Sequence, residues 1–196
     1  MPSKFEAFAA LHVPGDPLIL YNIWDVGSAK AVAEAGAKAL ATGSHPVADA
    51  GGFADGEGVP IDFALANAER IVRAIDLPLT VDFEGAYSTD PGQGGANVAR
   101  LAATGAVGCN FEDQVIGGTG VHPLDLQCQR IAAIRESVGA DFFINARTDL
   151  FLKTQTHDDA LLDQVIERGK AFADAGASGF FVPRLSDPGQ VERVVR

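Results

Sequence analysis

Three acidic residues stand where short apolar runs end: Asp82 and Glu84 in Leu79-Thr-Val-Asp-Phe-Glu-Gly85, and Glu112 in Cys109-Asn-Phe-Glu-Asp113. Runs of this kind read as strands buried on both faces. A carboxylate left uncompensated there is costly, so several converging acids need a cation or hydrogen bonds. Hard oxygen ligands in this number suit Mg²⁺ better than zinc. The period of an extended strand puts Asp82 and Glu84 on one face, where they could hold Mg²⁺ directly or through its waters. Two solvated loop acids fit the same spacing. Asp55, in the Gly-rich stretch 51–58, is a fourth candidate that reads equally well as a turn residue.

Other residues extend this pattern. Arg147 lies in Asn145-Ala-Arg-Thr-Asp149. Its guanidinium offers a planar fork for a substrate carboxylate or phosphonate, or else pairs with Asp149. In Thr42-Gly-Ser-His45, Gly43 allows close approach, and backbone N–H groups with the Ser44 hydroxyl could bind an anion or a developing oxyanion. His45 is the one histidine of four at an expected strand end, a proton donor or ligand or simply a surface residue. The segment 114–124, carrying Ile116-Gly-Gly-Thr-Gly120, reads as a lid over a mouth or as a plain surface loop.

Alternating elements must position these groups. Strand patterns fall at 18–22, 39–42, 79–83, 107–112, 141–146 and 179–183. Amphipathic helical patterns lie between and after them at 26–35, 61–75, 96–103, 124–138, 160–175 and 188–195. Three helices close on Ala35-Gly-Ala37, Thr104-Gly-Ala106 and Ala175-Gly-Ala177, where glycine serves the left-handed position before the next strand. The repeat predicts parallel βα units, and polar residues at several strand ends favour a barrel over an open sheet. No G-x-G-x-x-G follows the first strand. The expected fold is α/β, a (β/α)8 TIM-type barrel truncated after the sixth βα unit, as a single domain over 1–196. The gap is ascribed to missing C-terminal units, with cover by another subunit as the alternative.

Composition bounds the function. The 196 residues are 47% hydrophobic and 21% charged, with a net charge of −11. No basic face is evident for nucleic acid. An anionic substrate therefore needs locally placed Arg or metal. Two cysteines, Cys109 and Cys128, form no disulfide framework or metal-ligand pattern. No signal peptide and no membrane-spanning run is visible, and a cytoplasmic location is expected.

Taken together, Asn22-Ile-Trp-Asp-Val-Gly-Ser-Ala-Lys30, Ala41-Thr-Gly-Ser44, Asp55-Gly-Glu57, Val81-Asp-Phe-Glu-Gly-Ala-Tyr87, Asn110-Phe-Glu-Asp-Gln114 and Asn145-Ala-Arg-Thr-Asp149 resemble the isocitrate lyase/phosphoenolpyruvate mutase superfamily along nearly the whole chain. The resemblance implies a Mg²⁺-dependent (β/α)8 barrel enzyme acting on a small anionic 2-oxo acid, assembled as a homo-oligomer (dimer or tetramer). It implies Asp82 as the direct metal ligand, with Asp55, Glu84 and Glu112 holding the metal through water. Ser44 with the neighbouring amides of Thr42 and Gly43 would bind the substrate carboxylate. Trp24 and Asp25 would line the pocket, and Arg147 would neutralise the anion.

The true isocitrate and methylisocitrate lyases carry a cysteine motif in the loop after the Glu-Asp pair. Here that loop reads Gln114-Val-Ile-Gly-Gly-Thr-Gly-Val-His-Pro123, without it. The asparagine of the phosphonate-cleaving members is not evident in the loop either, and His45 replaces a residue that is commonly small. The expected chemistry is cleavage or formation of a C–C bond through a metal-stabilised enolate. P–C cleavage or phosphonomutase activity is the alternative, as is a non-catalytic barrel that binds an oxo acid.

Overall fold

A computed structural model describes residues 2–195. Its elements are α1 (Lys4–Ala9), β1 (Asn22–Ile23), α2 (Val26–Glu34), β2 (Leu40–Thr42), α3 (Ser44–Gly51), α4 (Ile61–Ala74), β3 (Leu79–Asp82), α5 (Pro91–Ala103), β4 (Gly108–Glu112), α6 (Leu124–Val138), β5 (Phe143–Arg147), α7 (Leu150–Lys153), α8 (Asp159–Asp174), β6 (Gly179–Phe181) and α9 (Pro188–Val195). The strands form one parallel sheet in the order β1-β2-β3-β4-β5-β6. Strictly sequential order with a helix in each crossover is barrel topology; a doubly wound sheet reverses direction partway. β1 and β6 form the two edges of the sheet.

Side-chain alternation divides each strand. Ile23, Leu40, Leu79, Val81, Cys109, Phe111, Ile144 and Ala146 join one buried cluster with Leu65, Ile71, Leu101, Ile131, Ile134 and Phe172 of the helices. Burying each large side chain contributes about 1.5–3 kcal/mol. Residues of the opposite parity, including Thr80, Asp82, Asn110, Glu112, Asn145 and Arg147, are the polar ones. Asn145 Nδ2 donates to Asn110 Oδ1 at 2.8 Å between neighbouring strands.

The three expected helix-ending glycines sit in the left-handed region, Gly36 at φ 97°, Gly105 at 93° and Gly176 at 106°. The helix expected over 124–138 is present with those bounds. The first strand differs from expectation: only Asn22 and Ile23 pair, in register with Ala41 and Thr42. Residues 18–21 belong to no strand of the sheet among the described residues. Three short helices were not expected. α1 lies near the beginning of the sheet, where Phe8 packs against Ala39, Val107 and Phe143. The others, α3 and α7, follow β2 and β5 directly. Among the described residues no helix is long and apolar enough to cross a membrane.

Candidate functional site

The site lies where β2 to β5 end, and its acids are held very unequally. Asp82 is the last residue of β3. Its Oδ2 accepts from the backbone N–H of Ser44 at 3.2 Å and from Ser44 Oγ at 3.0 Å. Its own N–H donates to Thr42 Oγ1 at 3.1 Å. The other carboxylate oxygen, Oδ1, is buried and has no well-aligned hydrogen-bond partner among the described residues, although the Glu84 N–H is near enough to favour the ionised carboxylate. Burial raises the Asp82 pKa above the ordinary carboxylate value, against the pull of Arg147.

Glu84 reaches the same region by a different route from the expected one. Strand alternation ends at Asp82, and Glu84 takes a left-handed conformation at φ 50°, followed by Ala86 at 59° and Tyr87 at 56°. Three non-glycine residues in that region within four positions cost of order 1–3 kcal/mol each. The surroundings compensate. Arg130 Nη2 donates to the carbonyls of Gly85 at 2.6 Å and Ser88 at 3.1 Å. The Tyr87 N–H donates to Glu57 Oε1 at 2.7 Å, and the Glu57 N–H donates to Glu84 Oε2 at 2.5 Å. A Cβ on Gly85 would meet Glu57 Oε1 at 2.9 Å, so glycine permits this clasp. Burial, then the neighbouring acids Asp55, Asp82 and Glu57, push the Glu84 pKa up to about 7 despite the hydrogen bond from Glu57.

Glu112 closes β4 beside Arg147, which closes β5; the two are in register and form an ion pair at 2.9 Å. Burial still drives the Glu112 pKa up to about 8. Arg147 makes the Asp149 pairing, one of the two readings of its sequence motif. Nε and Nη2 donate to the two oxygens of Asp149 at 2.6 and 3.0 Å. Nη1 is turned to the acids, 4.0 Å from Asp82 Oδ2.

The remaining candidates divide between centre and rim. Thr42, Ser44, Asp82 and Glu84 line one cavity with Asn67 and Tyr87. Gly43 is the N-cap of α3, and a Cβ there would meet Asn22 Nδ2 at 2.9 Å and Pro46 Cγ at 3.0 Å. Its bareness therefore serves strand-to-helix packing. His45 is exposed, 3.3 Å from Asp49 and 3.7 Å from Asp55, and Asp55 is also exposed. Asp55 nonetheless raises the Glu84 pKa, which places its charge within the field of the site. Trp24 is 43% exposed, and its carbonyl accepts from Asn67 Nδ2 at 2.9 Å. Asp25 caps α2, accepting from the Ser28 N–H at 2.7 Å and from Ser28 Oγ at 2.8 Å, and the first of these bonds lowers its pKa.

Glu57, Asn67 and Tyr87 were not singled out from the sequence. Only Glu57 and Tyr87 had a signal, as members of the quoted motifs. Segment 114–124 is folded back on itself, with Gln114 bridged to Val121 and the Val115 N–H donating to the Gly120 carbonyl at 3.2 Å. Cys128 Sγ lies 3.6 Å from the Ala171 carbonyl, on the α8 side of α6.

The donor set fits a hard divalent cation. All the acids offer oxygen, and one buried carboxylate oxygen lacks a well-aligned partner. Among the described residues no three His, Cys, Asp or Glu close into a preformed cage. Mg²⁺ held by one carboxylate and several waters requires none.

Comparison with known proteins agrees with this architecture. A solved structure from Burkholderia cenocepacia J2315, provisionally assigned as a phosphonomutase, superposes with a TM-score of 0.94 at 47% identity, covering 97% of this chain and 79% of that one. The protein Rv1998c of Mycobacterium tuberculosis, itself without an assigned function, is 33% identical over 190 residues, 97% of this chain and 70% of its own length. Oxaloacetate acetylhydrolase, solved with its product oxalate, superposes with a TM-score of 0.83 at 25% identity, over 98% of this chain and 68% of that one. Residues 8–196 match the phosphoenolpyruvate phosphomutase family, and the chain belongs to it.

Proposed function

We propose that this chain is a Mg²⁺-dependent enzyme that makes or breaks the bond beside the oxo group of a small 2-oxo acid. C–C cleavage of the lyase type is the first reading. The observation that carries it is the unpartnered, buried Oδ1 of Asp82, set among Glu84, Glu112 and Arg147. Mg²⁺ bound there would supply positive charge for the oxyanion that develops as the bond breaks. Asp82 would hold it directly, and Glu84, Glu112 and Asp55 would orient its waters. Ser44 fixes Asp82 through two hydrogen bonds, and Asp149 fixes Arg147 through two more. Arg147 then meets the substrate anion with a preset guanidinium, which reduces the ordering that binding requires.

Segment 114–123 has no cysteine, and Cys128 is directed at α8, so neither is assigned the proton-transfer role of the lyase loop cysteine. P–C chemistry is the second reading, supported by the 47% identity to the B. cenocepacia structure. A homo-oligomer belongs to the same reading and is measured by light scattering. The activity test is turnover of oxaloacetate, methylisocitrate and phosphonopyruvate with Mg²⁺. Asp82→Ala should reduce turnover at least about a hundredfold, the scale of losing one preorganised charge-stabilising group. Undiminished Mg²⁺-dependent turnover in Asp82→Ala would sink the assignment. Binding without turnover of any of the three favours an oxo-acid-binding barrel.

A further inference from the structure

Behind Arg147 lies a second set of charges that touches none of the site acids' carboxylates. Asp113 follows Glu112, and both Asp113 and Asp149 are fully buried. Asp113 Oδ1 accepts from the Asp149 N–H at 2.9 Å, and Oδ2 accepts from Thr148 Oγ1 at 2.7 Å. Oδ2 also accepts from Arg168 Nη1 on α8 at 3.0 Å. Burial raises the Asp113 pKa, and these three contacts act against that rise in favour of the carboxylate. The Asp113 N–H in turn donates to the Arg147 carbonyl at 3.1 Å. Asp113 thereby holds this strand end twice, its carboxylate at the Asp149 N–H and its own N–H at the Arg147 carbonyl.

Arg168 does a second thing. Its Nη2 donates at 2.8 Å to the carbonyl of His122, whose own N–H donates to the Asp113 carbonyl at 2.7 Å. His122 stands at the return of the loop that begins after Asp113. One guanidinium therefore joins the loop's return to the carboxylate that sets Thr148 and Asp149. A lysine would offer one ammonium in place of the two-pronged fork that meets these acceptors. Helix α8 contributes nothing to the site itself. Without a positional role, burying a charge from it against Asp113 gains little over an apolar pair.

We propose that Arg168 and Asp113 are positioning residues for anion binding. They set the Arg147 guanidinium through Asp149 and bind the loop's return at His122 to the same pair. The proposal rests on the functional reading above, in which Arg147 receives the substrate anion.

The test is calorimetric titration of the full chain with Mg²⁺ alone and with oxalate at saturating Mg²⁺. Arg168→Gln should weaken oxalate binding about tenfold, a coupling of the size seen between residues in one network, and leave Mg²⁺ binding within about twofold. Arg168→Lys should recover part of the loss. In an Arg147→Gln background, Arg168→Gln should cost nothing further. Should Arg168→Gln fail to fold, the Asp113→Asn/Arg168→Gln pair, which removes both charges, carries the same comparison. Unchanged oxalate affinity overturns the proposal, as do equal losses of Mg²⁺ and oxalate binding, or equal losses with and without Arg147. A wild-type chain that binds no oxalate overturns the functional reading, and this proposal with it.

Discussion

Asp82, largely buried, and Asp113, fully buried, stand at the ends of adjacent strands, and their surroundings are opposite. Behind the site, Asp113 receives a hydroxyl, a backbone N–H and a guanidinium, all donors. In the mouth, Asp82 has one oxygen satisfied by Ser44 and the other left without a well-aligned partner. Buried polar groups in folded proteins are nearly always paired, so the exception marks where the molecule keeps capacity for something else. The satisfied acid belongs to the scaffold. On the proposed function, the unsatisfied one belongs to the chemistry, at some cost in stability.

Substitution should separate the two. Asp82→Ala is expected to have the largest functional effect, a loss of at least about a hundredfold in Mg²⁺-dependent turnover. Its unfolding free energy in urea should be unchanged or raised, because a largely buried and only half-satisfied carboxylate is removed. Asp113→Ala should do the reverse to stability. It strands Arg168 and should cost about 3–5 kcal/mol in the same urea titration. Similar stability losses for both variants would erase the distinction.

The acids of the mouth also set a pH dependence. Glu84 at about 7 and Glu112 at about 8 both lie above the ordinary value of 4.5. Folding therefore favours their protonated forms. Their contribution to stability is fully present below about pH 4.5 and is lost as pH rises through about 7–8. Mg²⁺ favours the ionised forms and should flatten that fall, releasing protons as it binds. Melting temperatures across this range, with chelator and with Mg²⁺, check it; parallel curves would count against a metal among these acids. The smallest effect is expected from Ser44→Ala. It removes one of two bonds to Asp82 Oδ2 and should weaken Mg²⁺–oxalate binding by about 1 kcal/mol, several-fold in the titration.

The sequence carried most of the scaffold. Repeated helix-glycine-strand junctions at Gly36, Gly105 and Gly176 made the parallel order legible, because the left-handed C′ position has a residue preference. Short elements were not legible. The four-residue α7 has no room for a period, and α3 carries Pro46 in its first turn, where a missing N–H costs little. Asp82, Glu84 and Glu112 do come together as their motifs suggested, yet strand alternation alone does not deliver Glu84. It is delivered by a left-handed turn held by Arg130 and Glu57, and non-glycine residues in that region leave no local signature. The alternation of Cys109 and Phe111 with Asn110 and Glu112 marks Glu112 for the mouth, but nothing local shows that Asp113 is held by β5 and α8.

On the proposed function, Asp82 keeps an open oxygen for Mg²⁺, through which a small 2-oxo acid is bound. Calorimetric titration of oxalate into the wild-type chain and into Asp82→Asn, each with and without Mg²⁺, tests it directly. Oxalate should bind the wild type only when Mg²⁺ is present and should not bind Asp82→Asn in either condition. Oxalate binding that is indifferent to Mg²⁺, or retained by Asp82→Asn, would contradict the account.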